Sequence, residues 1–235
     1  MNFTSIRLIT FDCYGTLIDW ETGMLASLRS LFASSSVSDA ELLEHYGEAE
    51  ARLESGAYLP YARILSQSVQ EMGARLGIPV STEEGDRFAE SLTQWDPFPD
   101  TVPGLQTLAT RFRLGVISNV DDDLFSATRK KLVVPFDLIV TAQQVQSYKP
   151  SHKNFQEALR RSGLKQDEIL HAAQSVYHDI VPANALGIRN VWVNRSSARP
   201  GAGATRPATA RPTAEVSSMA ELVKLAMTSG DLVIG

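Results

Sequence analysis

Asp12, Ser118, Lys149 and Asp179 are the side chains in this sequence whose types and spacing could make a reaction centre. A carboxylate can attack an electrophilic carbon or phosphorus. A lysine ammonium beside it keeps it ionised and stabilises charge that develops in the transition state. A serine hydroxyl can hold a substrate oxygen, and a second carboxylate can orient the lysine. Asp12 opens Asp12-Cys13-Tyr14-Gly15-Thr16-Leu17, directly after the apolar run Ile6-Arg7-Leu8-Ile9-Thr10-Phe11. An acid at a strand end, followed by a glycine turn, sits among exposed backbone N–H groups that can cradle an anion. Each residue alone has a plainer reading. Asp12 would cap a turn, Ser118-Asn119 would cap a helix, and Lys149 would be a solvated surface charge. The case rests on the set.

Their intervals say what must position them. Ser118 to Lys149 is 31 residues and Lys149 to Asp179 is 30, each close to the ~30 of one strand–helix–strand step. The runs Leu114-Gly115-Val116-Ile117, Phe136-Asp137-Leu138-Ile139-Val140 and Val191-Trp192-Val193 each lead into polar residues. Nearly continuous apolar strands alternating with helices predict a parallel sheet covered on both faces, with ligands bound at the carboxyl ends of its strands. Asp12 to Ser118 is 106 residues, so roughly 70 are extra to one such step.

That insert predicts helices. Ser38-Asp39-Ala40-Glu41 reads as a capping box opening a helix through Leu42, Leu43 and Leu53. Ile64, Leu65, Val69, Met72 and Leu76 recur at helical spacing before Gly77. Ser81-Thr82-Glu83-Glu84 opens another helix, with Phe88 and Leu92 on one face, and Pro97 and Pro99 end the insert. The expected fold is α/β: a doubly wound, Rossmann-like parallel sheet built from residues 1–19 and 97–235, with a helical cap domain over residues 20–96. Such a cap is a natural lid, excluding water and supplying substrate contacts. Residues 196–213 predict a surface loop, and Met219–Leu225 a closing helix.

Composition narrows the partners. Apolar residues at 43% and charged residues at 21% match an ordinary soluble globular chain. A net charge of −5 supplies no global field for nucleic acid or anionic lipid. Cys13 is the only cysteine, which excludes an intrachain disulfide and a cysteine-rich metal site. No apolar run approaches the ~20 residues that span a bilayer, and Ile6–Phe11 is too short for a signal peptide. A cytoplasmic protein without nucleic-acid or membrane partners is expected.

Asp12–Leu17, Ser118-Asn119, Ser147-Tyr148-Lys149-Pro150 and Tyr177–Asn184 resemble the four motifs of the haloacid dehalogenase superfamily, and the resemblance covers essentially the whole chain. It implies that Asp12 attacks the substrate. Phosphatases of the superfamily carry a second Asp two residues after the nucleophile, because an alkoxide leaving group needs a proton. That position here is Tyr14, a poor acid at neutral pH with a reference pKa of ~10. A halide needs no proton to leave. Tyrosine at this place is similar to the type II 2-haloacid dehalogenase branch.

The branch implies a set of roles. Lys149 would hold Asp12, with Thr16 and Ser118 orienting the carboxylates. Ser118 and the backbone amides of Cys13 and Tyr14 would bind the substrate carboxylate, and Asn119 would help cradle the leaving halide. Asp179 would orient Lys149 and position water, while Tyr61 or Trp20 would shape the pocket. The implied substrate is a small 2-substituted carboxylate, the intermediate an aspartyl ester, and the assembly a homodimer. No cofactor is implied. Mg²⁺ enters only under a phosphatase reading, for which this segment offers Asp179 and places Asn184 where a second acid often stands.

Departures from the branch widen the choice of leaving group. Its L-specific members carry a Ser and an Asn before the fourth-motif Asp, where this chain reads Gln174-Ser175-Val176-Tyr177. They place an Arg on the first lid helix to meet the halide; Glu44-His45-Tyr46-Gly47-Glu48 has none, leaving Arg52 or Arg63 as substitutes. Phe155 stands where a tyrosine is expected. Asp12–Gly23 and Tyr177–Asn184 resemble a part of the branch that includes azetidine-2-carboxylate hydrolase, in which a strained cyclic amine is displaced. The rivals are a Mg²⁺-dependent phosphatase and a non-catalytic protein that binds small carboxylates. His178 reads equally as a water-activating base or as a packed residue. His45, His152 and His171 lack companions at metal-ligand spacing and read as surface or core residues. The Cys13 side chain should point away from the nucleophile by strand period.

Overall fold

The computed structural model describes residues 3–195 and 208–228. Leu8–Phe11 forms β1, four residues buried throughout. β2 (Arg113–Ser118), β3 (Leu138–Thr141), β4 (Ile169–Ala173), β5 (Arg189–Val193) and β6 (Ala214–Val216) complete one sheet in the order β3-β2-β1-β4-β5-β6. All its pairings are parallel. The chain winds outward from β1 in one direction and then, from β4, in the other. That reversal makes a crevice at the carboxyl ends of the central strands.

Alternate residues serve opposite faces, as the strand period requires. Ile9, Phe11 and Val116 enter the larger apolar cluster, whereas Leu8, Ile117 and Val140 enter the smaller one with Phe155 and Ile188. Helix α5 (Thr101–Ala109) leads into β2, and α6 (Asp122–Leu132), α7 (Ala142–Val145), α8 (His152–Ser162), α9 (Val181–Ala185) and α10 (Met219–Thr228) follow the later strands.

Between β1 and β2 lie α1 (Trp20–Leu31), α2 (Asp39–Glu54), α3 (Tyr61–Leu76) and α4 (Thr82–Ser91). Asp19 caps α1, and reciprocal capping boxes, Ser38 with Glu41 and Ser81 with Glu84, open α2 and α4. α3 stops at Gly77, whose φ of 70° is left-handed. The chain leaves the sheet and returns to it side by side: Ile18 bridges Pro97, and the Asp19 N–H donates to the Asp96 carbonyl at 2.9 Å.

The sheet and the helices opened by capping boxes agree with the sequence reading. Other elements were not legible. β1 begins at Leu8 rather than Ile6. β4, with a histidine inside Ile169-Leu170-His171-Ala172-Ala173, carries a weak apolar signal, and β6 is three residues long. α1 contains Thr22 and Gly23 in its first turns. Residues 196–207 of the expected loop lie outside the described residues, and residues 208–213 hold no helix or strand. No helix among the described residues is long and apolar enough to cross a membrane.

The region where the chain leaves and rejoins the sheet is tightly packed. A Cβ built on Gly23 would fall 2.3 Å from the Trp95 ring, and the same ring meets Tyr14 edge-on at 6.2 Å. Gly23→Ala should therefore lower stability by about 1–3 kcal/mol, read as a shift in the urea midpoint. An unchanged midpoint would contradict this packing.

Candidate active site

The turn after β1 is built to present one carboxylate. The Asp12 N–H still donates to the Ala172 carbonyl at 3.1 Å, and the Cys13 carbonyl then accepts from Leu17 and Ile18, closing the loop. Gly15 permits that closure with a φ of 94°, a conformation costly for a side chain with a Cβ. Arg195 braces the loop from outside, donating to the Thr16 carbonyl at 2.8 Å while stacking over Phe98. The Thr16 hydroxyl donates to Asp12 Oδ2 at 2.8 Å and accepts from the Gln174 N–H at 2.9 Å.

The other Asp12 oxygen belongs to Lys149. Its Nζ donates to Asp12 Oδ1 at 2.9 Å, to Asp179 Oδ1 at 2.6 Å and to the Ile117 carbonyl at 2.9 Å. All three ammonium protons are thus committed, in a side chain only 2% exposed. The Lys149 backbone is clamped by Asn119, whose Oδ1 accepts from its N–H at 2.7 Å and whose Nδ2 donates to its carbonyl at 3.1 Å. Asp179 sits fully buried on a π-helical turn, Val176–Ile180.

Behind Asp179 lies His171, also fully buried, with Nε2 at 2.9 Å from Asp179 Oδ1 and Nδ1 at 2.9 Å from Thr10 Oγ1. An ionised carboxylate only accepts. In the neutral ring Nε2 therefore carries the proton, and Nδ1 accepts from Thr10. Phe155 meets the imidazole edge-on at 5.0 Å.

One ammonium between two carboxylates sets the electrostatics. Burial pushes the Asp12 carboxyl above its ordinary range, and Lys149 only partly reverses that. Asp179 is buried more completely still, yet Lys149 and His171 together hold it below the ordinary range. Burial works against the Lys149 charge too, but the paired carboxylates outweigh it and raise its pKa. Of the two acids, Asp12 is the one that more readily takes a proton.

These groups open on a cavity of about 50 Å³, room for roughly four water-sized groups. Asp12, Ser118, Lys149 and Asp179 share its wall with Tyr14, Trp20, Tyr61, Asn119 and His178. Two buried oxygens on that wall, Ser118 Oγ and Asp179 Oδ2, have no hydrogen-bond partner among the described residues. Cys13 and Thr16 are buried off the wall, Cys13 within the apolar core. The Tyr14 hydroxyl pairs with Thr128 Oγ1 at 2.9 Å, and burial pushes the phenol well above its ordinary pKa. Asn119 carries the lysine clamp and reaches Glu54 at 3.3 Å, so its amide donors are engaged. His178 lies between Ser175 Oγ, at 3.2 Å, and Glu54 Oε2, at 3.8 Å.

Several wall residues were not foreseen: Glu50, Glu54, Gln174 and Ser175. Tyr46, Glu50 and Glu54 recur at intervals of four, one face of a helix, and that signal was available. Neither arginine offered as a halide contact lines the cavity; Arg52 and Arg63 are exposed, and Arg52 pairs with Glu71. His171 is a core residue as read, but it is bonded to the site.

The residues present do not fit the magnesium site of a phosphatase. Asp179 is committed to Lys149 and His171, and Asn184, standing where a second acid would serve, is exposed and bonded to Asn190 and the Arg211 carbonyl. Among the described residues, no group of three or more His, Cys, Asp or Glu side chains is placed to hold a metal ion.

Fold and site together define a hydrolase core with an aspartate directly after its first strand. Residues 9–193 match the haloacid dehalogenase-like hydrolase family, and the chain belongs to it. It is similar to an (S)-2-haloacid dehalogenase of Pseudomonas putida, 24% identical over 232 residues, covering 97% of this chain and 99% of that one. It is also similar to a glyceraldehyde 3-phosphate phosphatase of Methanothermobacter thermautotrophicus, 30% identical over 203 residues, covering 80% and 86%. An L-2-haloacid dehalogenase from Xanthobacter autotrophicus, solved with chloropropionic acid covalently bound, superimposes with a TM-score of 0.80 at 18% identity, covering 94% of this chain and 98% of that one. At that identity the likeness is one of fold.

The His171–Asp179 bond has a pH signature. Asp179 has a lowered folded pKa, so its ionisation contributes stability that is present above the unfolded value and lost as pH falls through the folded one. His171→Leu removes a bond to that charge. It should cost about 1.5–3 kcal/mol at neutral pH, with the deficit shrinking in acid, as read from urea midpoints across pH. A deficit that stays constant with pH would contradict the assignment.

Proposed function

We propose that this protein hydrolyses a small 2-substituted carboxylate through an aspartyl ester on Asp12, without a metal. The observation that carries the reading is Asp12 itself: fixed by Thr16 and Lys149, and open to a small cavity. The substrate carboxylate meets the unpartnered Ser118 hydroxyl and the backbone amides after the nucleophile. An Asp12 oxygen attacks carbon 2, the C–O bond forms, and the substituent departs with its bonding electrons. Water held at Asp179 Oδ2 then attacks the Asp12 carbonyl carbon. The acyl C–O bond breaks, one water proton passes to the departing alkoxide oxygen and the other is released to solvent, and a 2-hydroxy acid leaves with inverted configuration. Lys149 stabilises the charge that builds on Asp12 in the second step.

The absent acid at position 14 supports a leaving group that needs no proton. For the similar dehalogenases that group is a halide, and it is the first reading here. Opening of the strained ring of azetidine-2-carboxylate is the second, supported by the glutamates that line the cavity. Phosphate transfer lacks both the acid and the magnesium ligands, despite the similar phosphatase.

A panel of 2-chloropropionate, fluoroacetate, azetidine-2-carboxylate and phosphate monoesters, each with and without EDTA, tests the reading. Turnover of a 2-substituted carboxylate should persist in EDTA and fall by several orders of magnitude in Asp12→Asn, which keeps its fold. Phosphate release that EDTA abolishes, with no carboxylate substrate consumed, would reject it.

A further inference from the structure

α3 has an anchor that its own sequence does not supply. The leading N–H groups of a helix have no partner within it, and Pro60, which precedes the first turn of α3, makes no side-chain capping bond. The N–H groups of Tyr61 and Ala62 instead donate to Asp121, at 2.9 Å to Oδ1 and 2.8 Å to Oδ2. Asp121 stands just beyond β2 and is 4% exposed. It is also the N-cap of α6, with extended backbone, yet its side chain makes no capping bond there. An aspartate at that position ordinarily caps its own helix. This one gives both carboxylate oxygens to another.

A second contact joins the same elements. The Tyr148 hydroxyl donates to the Leu59 carbonyl at 2.7 Å, and its ring stacks on Tyr58 at 5.5 Å and tilts against Tyr61 at 6.2 Å. Tyr148 adjoins Lys149, and Asp121 closely follows Asn119, which clamps the Lys149 backbone. The segments that hold Lys149 are therefore the ones that hold α3. What α3 brings to the cavity is Tyr61, which lines it and donates at 2.7 Å to Glu50, another wall residue. Asp12, Lys149 and Asp179 take their further bonds from Thr16, Ile117 and His171. Wall and reacting groups are fixed separately.

We propose that Asp121 is a positioning residue: it pins α3 to the sheet and so sets where Tyr61 stands over Asp12. Asp121 does not itself line the cavity. Its two charge-assisted bonds meet a helix N-terminus, where the backbone dipole favours a negative charge. Without them the first turn of α3 loses its fixed place and the wall shifts, while the Asp12–Lys149–Asp179 set keeps its geometry.

Electron-spin distance measurements read the anchor without any reaction. Spin labels on Ala74→Cys in α3 and Gln156→Cys in α8, both exposed positions, with Cys13 buried, should give one narrow distance when Asp121 is present. Asp121→Ala, measured well below its urea midpoint, should broaden that distribution. Asp121→Asn, which keeps the volume and one acceptor, should fall between. An unchanged distribution in a folded variant would overturn the proposal. Should neither variant fold, amide exchange in the wild type decides. The Tyr61 and Ala62 amides should exchange about a hundredfold slower than unbonded ones, and exchange at the unbonded rate would overturn it.

A kinetic arm rests on the reading of Asp12 as nucleophile. For a 2-substituted carboxylate that the wild type consumes, Asp121→Ala should raise KM by about tenfold with kcat nearly unchanged, the mark of lost binding. A fall in kcat at constant KM would put the effect on the reacting groups and overturn the positioning role. If the wild type consumes none, the nucleophile reading fails and the distances still judge the anchor.

Discussion

One buried ammonium shared by two buried carboxylates is the constraint on which the site depends. Taking such charges out of water costs several kcal/mol per ion, and removing one partner leaves the rest uncompensated. The local architecture serves this triad. Asn119 fixes the lysine backbone at two points, the Ile117 carbonyl takes the third ammonium proton, and Thr16 holds the free oxygen of Asp12. Thr10 and His171, paired across β1 and β4 in register, extend the network beneath the sheet. The strand order makes this possible, since β1, β2 and β4 are neighbours and all deliver their carboxyl ends to one crevice.

The asymmetry between the two acids follows from what surrounds each. Asp179 has the ammonium and the imidazole, and it remains the firm negative charge. Asp12 has the ammonium, a hydroxyl and the repulsion of Asp179. A carboxylate held less firmly by donors keeps more of its electron density for attack. Tyr14 adds to this by what it lacks: its hydroxyl is turned to Thr128, and it supplies no acid to a departing oxygen.

Much of this was legible in the chain. The intervals between Asp12, Ser118, Lys149 and Asp179 encode strand–helix repeats, and capping boxes at Ser38 and Ser81 mark helices by local chemistry alone. What stayed hidden depends on contacts between distant segments. His171 reads as an isolated histidine because its partners, Thr10 and Asp179, come from another strand and from the following turn. Glu50 and Glu54 share a helix face with Tyr46, but a charge at helical spacing is usually solvated, so the spacing alone does not mark them as part of a site. Only the packing of α2 and α3 over the carboxyl ends of the sheet turns them inward. Asn119, expected to meet a leaving halide, is spent on the lysine clamp, a role set by a residue 30 positions away.

The covalent role of Asp12 is the claim the account needs above all others. A single turnover in ¹⁸O-labelled water, followed by mass spectrometry of the peptide that contains residue 12, reads it directly. Label should appear in the Asp12 carboxyl and be absent from the first product molecules. Label passing straight into the product, with Asp12 unlabelled, would contradict the account.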